Sequence, residues 1–202
     1  MIHQPNSDTS LVLSSPGLRK AIGIIGTSLP FVLAIGKILL DGPGLQCSIS
    51  SYYYTGMRDI FVGSLFAIAI FLMSYRYKEK DYIAGDLACL FAIGVALFPT
   101  TPDTDPTSQA RIVGDLHHLC AALFFLTLAY FSLVLFRKTD PNKAPTPRKL
   151  QRNVVYTVCG YSILACIALI GLVGLAPEES QVIKLKPVFW LESIAVFVFG
   201  FS

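Results

Sequence analysis

The sequence predicts an all-α membrane protein, a bundle of six transmembrane helices. Three observations predict it. Of the 202 residues, 53% are hydrophobic and only 14% are charged, where a soluble domain carries about 25% charge. The charges sit in short runs between long apolar stretches, whereas a soluble helical core spreads them over the outer face of every helix. The apolar stretches also have the right length, since a helix needs about 20 residues to cross the hydrocarbon. The predicted spans are 18–40, 59–75, 83–99, 115–136, 154–176 and 187–202. Residues 1–16 form a polar tail, and 17–202 form a single transmembrane domain.

The first span carries Arg19 and Lys20 at its start and lacks a small-residue cleavage site, so it reads as a retained span and not a secretory signal. Pro30 sits mid-helix and is expected to kink it. Lys37 is placed to snorkel toward the far interface. The second and third spans are at the short limit and call for extension at one end or local thinning of the bilayer. Asp86 lies in the third span near its start, where a hydrogen-bonded packing role outweighs a proton relay. Phe124-Phe125 in the fourth span reads as packing. Gly23, Gly26, Gly160, Gly171 and Gly174 read as close helix contacts. The sixth span opens at Pro187, a good first helical residue. It is short and runs to Ser202, which is the expectation for a truncated last helix.

Orientation follows from the basic residues. The N-terminal side carries eleven Lys and Arg (19, 20, 76, 78, 80, 137, 138, 143, 148, 149 and 152), and the opposite side carries five (37, 58, 111, 184 and 186). The positive-inside rule makes the N-terminal side cytoplasmic, and a bacterial inner (plasma) membrane is the expected location. The Pro- and Lys-rich stretch 138–149 is a cytoplasmic linker that holds topology, contact with anionic lipid being the alternative. Cys47, Cys89, Cys120, Cys159 and Cys166 show no CxxC spacing, which argues against a disulfide framework or a zinc knuckle. A net charge of +3 gives no argument for nucleic acid.

Alternating spans bring four polar segments to the non-cytoplasmic face. They are Ser48 to Asp59, Phe98 to Asp103, Gly114 to His118, and Phe189 to Ser193. Ionisable groups near helix ends in a membrane are expected to face the bundle interior or water, and to pair. Asp115 and His118 are three apart and share a helix face, while His117 points about 100° away. Three readings compete. In one, His118 with Asp115, Asp59 or Glu192 (His118, Asp115 and Glu192 as the preferred set) holds a divalent metal whose bound water attacks an ester or amide. In another, Ser50 is a nucleophile with His118 as base and Asp115 as orienter. In the third, the cluster is structural or binds a lipid headgroup, with Arg58 pairing to Asp115 or Glu192. Asp59, Arg58, Glu192, His117, Tyr54 and Trp190 are the candidate ligand-binding residues. Tyr52-Tyr53-Tyr54 and Trp190 also suit an interfacial aromatic belt.

The motif order is Ser48 to Asp59, then Gly94-Val95-Ala96-Leu97-Phe98-Pro99, then His117-His118 followed by Ala121-Ala122-Leu123-Phe124-Phe125. This order resembles the Frag/DRAM/Sfk group of six-span membrane proteins and the prokaryotic family called domain of unknown function 998. The resemblance covers roughly residues 20–135. It implies six helices and a membrane-embedded role, with some relatives tied to lipid or GPI-anchor metabolism. The eukaryotic group places an acidic residue just after its first loop serine, whereas here Ile49 follows Ser48 and Ser51 follows Ser50. Ceramidase-like and adiponectin-receptor-like hydrolases also mix Ser, Asp and His at helix ends, but they have seven spans and an HxxxH pair, which this chain lacks. The reading taken forward is an outward-facing polar pocket that binds or processes a lipid or small amphiphile, with membrane lipids as partners. The alternatives are a metal-dependent intramembrane hydrolase, the only reading that calls for a divalent metal cofactor, and a structural or assembly protein.

Overall fold

Helix starts are set by local chemistry more than by hydropathy. Thr107 accepts a hydrogen bond from the Ala110 amide at 3.1 Å, and Thr146 accepts one from the Lys149 amide at 3.3 Å. Each threonine thereby satisfies a donor that a helix N-terminus leaves free. Thr146 is followed by Pro147, whose fixed φ suits the first helical turn. These caps start two helices about two turns earlier than their apolar stretches begin.

The computed structural model describes residues 15–74, 82–139, 144, 146–177 and 181–202. They are all-α, with no strand among the described residues. The helices are α1 (Ser15–Asp41), α2 (Arg58–Met73), α3 (Tyr82–Leu97), α4 (Ser108–Tyr130), α5 (Pro147–Val173), α6 (Gln181–Lys184) and α7 (Pro187–Phe201). A 3-10 turn at Ser50–Tyr54 precedes α2, and α4 continues into a π-helical segment at Phe131–Leu135. Helix α1 runs through Pro30 without interruption. Lys37 is buried, and its Nζ donates to the Gly42 and Pro43 carbonyls at 2.9 and 3.2 Å, capping the end of α1.

Neighbours in sequence pack in space: α1 on α2, α2 on α3, α3 on α4, α4 on α5 and α5 on α7. Helix α7 then packs back on α1 and closes a ring. Phe61 and Leu65 of α2, Val95 of α3, Phe124 and Leu128 of α4, and Phe199 of α7 fill the interior. The closing seam is tight. A Cβ on Gly23 would lie 2.5 Å from the Gly200 carbonyl oxygen, and one on Gly200 would lie 2.8 Å from the Gly23 oxygen. Gly26 and Gly160 also face close neighbours, as expected for packing glycines. Gly171 does not. No atom lies within 4 Å of its Cβ position, because it faces open space on α5, and the nearest atoms to that of Gly174 belong to its own helix.

Three helical stretches are long and apolar enough to cross a membrane: Gly17–Asp41, Ser108–Leu135 and Pro147–Val173. The outer surface is apolar all round, with Phe31, Ile35, Leu90, Ile112, Leu119 and Val158 exposed. In water, contiguous patches of this kind are a liability, and in lipid they match the solvent. Part of the basic linker lies outside the described residues, as do Arg76, Lys78, Lys80 and Lys143 of the charge count.

Candidate functional site

The segment between α1 and α2 is pinned onto α7. The Phe189 amide donates to the Cys47 carbonyl at 3.0 Å, and the Ile49 amide donates to Glu192 Oε2 at 2.6 Å. The Ser50 amide also faces this carboxylate. Tyr52 is fully buried beside Phe189, with ring centroids 6.1 Å apart, and burial pushes its phenol above the ordinary value. Ser48 and Ser51 share a hydrogen bond at 2.7 Å between their hydroxyls.

A second clamp joins α3 to α4. His117 is buried, and its Nδ1 lies 2.6 Å from the Phe98 carbonyl oxygen. A carbonyl only accepts, so Nδ1 carries the hydrogen, which fixes the tautomer of a neutral ring and leaves Nε2 as an acceptor. One turn earlier, Gly114 lets the chain pass Thr101, whose Oγ1 would lie 2.0 Å from a Cβ at that position.

Between these clamps opens a cavity of about 590 Å³. Helix α4 contributes His117, His118, Ala121, Ala122 and Phe125, and α5 contributes Ile167, Ile170 and Gly171. Further wall comes from Cys47, Ser48 and Thr100 in loops, from the end of α5 and the α6 segment, and from Lys186, Pro187, Val188 and Glu192 at the start of α7. Three of the four polar segments expected at this face therefore send side chains to the cavity from Ser48, His117, His118 and Glu192, and the fourth sends Thr100. Both histidines reach it despite the angle between them, their rings 5.7 Å apart and edge to face.

Several expected site residues lie elsewhere. Asp115 is exposed and is not on the cavity wall, because at 3.6 residues per turn it stands about a quarter turn from the centre of the face formed by His117, His118, Ala121, Ala122 and Phe125. Arg58 does not pair with Asp115 or Glu192. It donates to the Tyr53 hydroxyl, and its guanidinium stands 4.2 Å from the Tyr53 ring centroid, the nearer electron-rich surface. Asp59 is exposed, and the Tyr54 hydroxyl donates to the Thr100 carbonyl. Trp190 lines a separate apolar groove of about 290 Å³ with Pro30, Phe31 and Ala34 of α1. Ser50 is buried on the inner side of Glu192, and no hydrogen bond joins it to either histidine among the described residues. No group of three or more His, Cys, Asp or Glu side chains suited to a metal is gathered among the described residues. Asp86 is exposed on α3.

Sequence reasoning missed Lys186 and Cys47 at the cavity and the whole α5 wall. Lys186 carried a signal, since it directly precedes Pro187 and so stands at a helix entry. The α5 residues are apolar and carried none. No family model, curated protein or solved structure matches the chain.

Proposed function

We propose that the protein crosses a membrane six times, through α1 to α5 and α7, and binds a lipid or another small amphiphile in the cavity between α4, α5 and α7. One observation carries the binding reading. The cavity of about 590 Å³ has walls that are mostly apolar, with a few polar side chains that converge on it. Small-molecule sites have this make-up and volumes of about 300–1,000 Å³. The six-span reading draws support from the apolar outer surface and the ring of six longer helices. The charge bias of eleven against five supports a cytoplasmic N-terminus. The proposed kinship with the Frag/DRAM/Sfk and domain of unknown function 998 families rests on the Phe98-Pro99, His117-His118, Phe124-Phe125 order. The bond between His117 and the Phe98 carbonyl gives that order a physical reason.

Native mass spectrometry of the purified protein tests the binding. A lipid retained at about one per chain is expected. Ala122→Trp, which fills the cavity, is expected to lower its occupancy about tenfold with the melting temperature held. His118→Ala should also lower it with the fold intact. A wild-type protein free of lipid, or an Ala122→Trp variant that retains it equally, refutes the reading. Topology is tested at Cys47, which is exposed, while Cys89, Cys159 and Cys166 are buried. An impermeant maleimide should label Cys47 from outside the cell, and labelling only from the cytoplasmic side overturns the orientation.

A further inference from the structure

The cavity is ordered along its depth. Ala122 and Phe125 of α4 and Ile167 of α5 line its inner part with apolar surface. Glu192 comes next, and Lys186 stands at the outer end, where α7 begins. The two are six positions apart, about 9 Å along a helix axis.

Neither group has an ion-pair partner among the described residues. Glu192 receives backbone amides but has no cationic partner among the described residues, and Lys186 has no carboxylate partner among them. They do not pair with each other. A carboxylate held out of water without a counter-charge is costly, so a ligand that supplies a cation there gains what the fold leaves open. Lys186 also holds φ +53°, a left-handed conformation uncommon for a residue with a side chain and one that tends to mark binding sites.

Building on the amphiphile reading, we propose that the ligand carries an ammonium between its alkyl chain and a terminal anionic group. The chain lies along Ala122, Phe125 and Ile167. The ammonium sits on Glu192, and the phosphate or carboxylate faces Lys186. The charge order, chain then cation then anion, distinguishes this class from common glycerophospholipids, in which the phosphate lies nearer the chains.

The test uses the full protein in phosphatidylcholine nanodiscs and four single-chain probes of similar chain length: hexadecanol, hexadecylamine, hexadecyl phosphate and sphinganine 1-phosphate. Sphinganine 1-phosphate is expected to bind about tenfold or more tightly than hexadecanol and than hexadecyl phosphate. Glu192→Gln keeps an oxygen for the Ile49 amide and should abolish the advantage of the two amines while leaving hexadecyl phosphate unchanged. Lys186→Gln should abolish the advantage of the phosphates and leave hexadecylamine unchanged. Equal binding of all four probes overturns the headgroup assignment alone, because the amphiphile would still be bound. Binding of none overturns the amphiphile reading as well. An amine advantage that survives Glu192→Gln also overturns the assignment, and the wild-type comparison stands even if a variant folds poorly.

Discussion

The two ends of the bundle treat their charges in opposite ways. Where α1 begins, Arg19 donates to the Tyr156 hydroxyl at 3.1 Å and to the Ser202 carbonyl at 2.9 Å. Its guanidinium also lies 4.0 Å from the Phe136 ring centroid. Lys149 donates to the Phe136 carbonyl at 2.7 Å. One cation thus ties together α1, the end of α4, α5 and α7. A cavity of about 200 Å³ lies beside it, lined by Arg19, which has these partners, and by Lys20, which is exposed. At the opposite end, Lys186 and Glu192 line a larger cavity with no ion-pair partner among the described residues. Residue type alone does not separate these cases, since both ends hold ionisable groups at helix starts. What separates them is the kind of partner found among the described residues. Arg19 has hydrogen-bond acceptors and an aromatic ring, Glu192 has backbone amides but no cation, and the Lys186 ammonium has no partner among them.

Four substitutions sharpen or break this contrast. The largest effect is expected at Gly114, where an added Cβ would also lie 2.8 Å from the Thr101 backbone nitrogen. Gly114→Ala should cost about 3 kcal/mol, seen as a clear fall in melting temperature, and a variant that melts like wild type would show that the α3–α4 seam is looser than described. Arg19→Ala removes two hydrogen bonds and a cation–π contact, for a cost of about 2 kcal/mol. Ligand occupancy should be unchanged, and loss of ligand without loss of stability would undo the division between the two ends. Arg58→Ala loses only an exposed contact with Tyr53 and should shift stability by about 0.5 kcal/mol. Gly171→Ala is the smallest, since the open cavity wall accepts a methyl group, and chemical denaturation should place it within about 0.5 kcal/mol of wild type.

The helices were largely legible in the sequence, because each is a long apolar run bounded by polar stretches. Their ends were less so. The spans expected at 115–136 and 154–176 begin at Ser108 and Pro147. Thr107 and the Thr146-Pro147 pair carried the signal for these starts, but a reading that stops at the last polar residue passes over a cap. The π-helical turn at Phe131–Leu135 and the short α6 left no pattern in composition. For the site, alternation of the helices placed Ser48, His117, His118 and Glu192 at one face. It could not decide rotation about each axis, and rotation is what removes Asp115 from the cavity. Gly171 shows the same limit from the other side. A glycine in an apolar helix suggests close packing, yet here it widens a space.

The closed ring has a consequence for biosynthesis. Glu192 and the Ile49 amide it accepts from are 143 residues apart. At about 5–20 residues per second, the first helices wait on the order of ten seconds for the seventh to emerge. Until then the Gly23 seam is open to lipid and the loop at Ser48 has nothing to dock on. The pocket is therefore the last part of the protein to exist. A ribosome stalled before α7 would leave an incomplete bundle with its seam exposed, the form that membrane quality control is built to find.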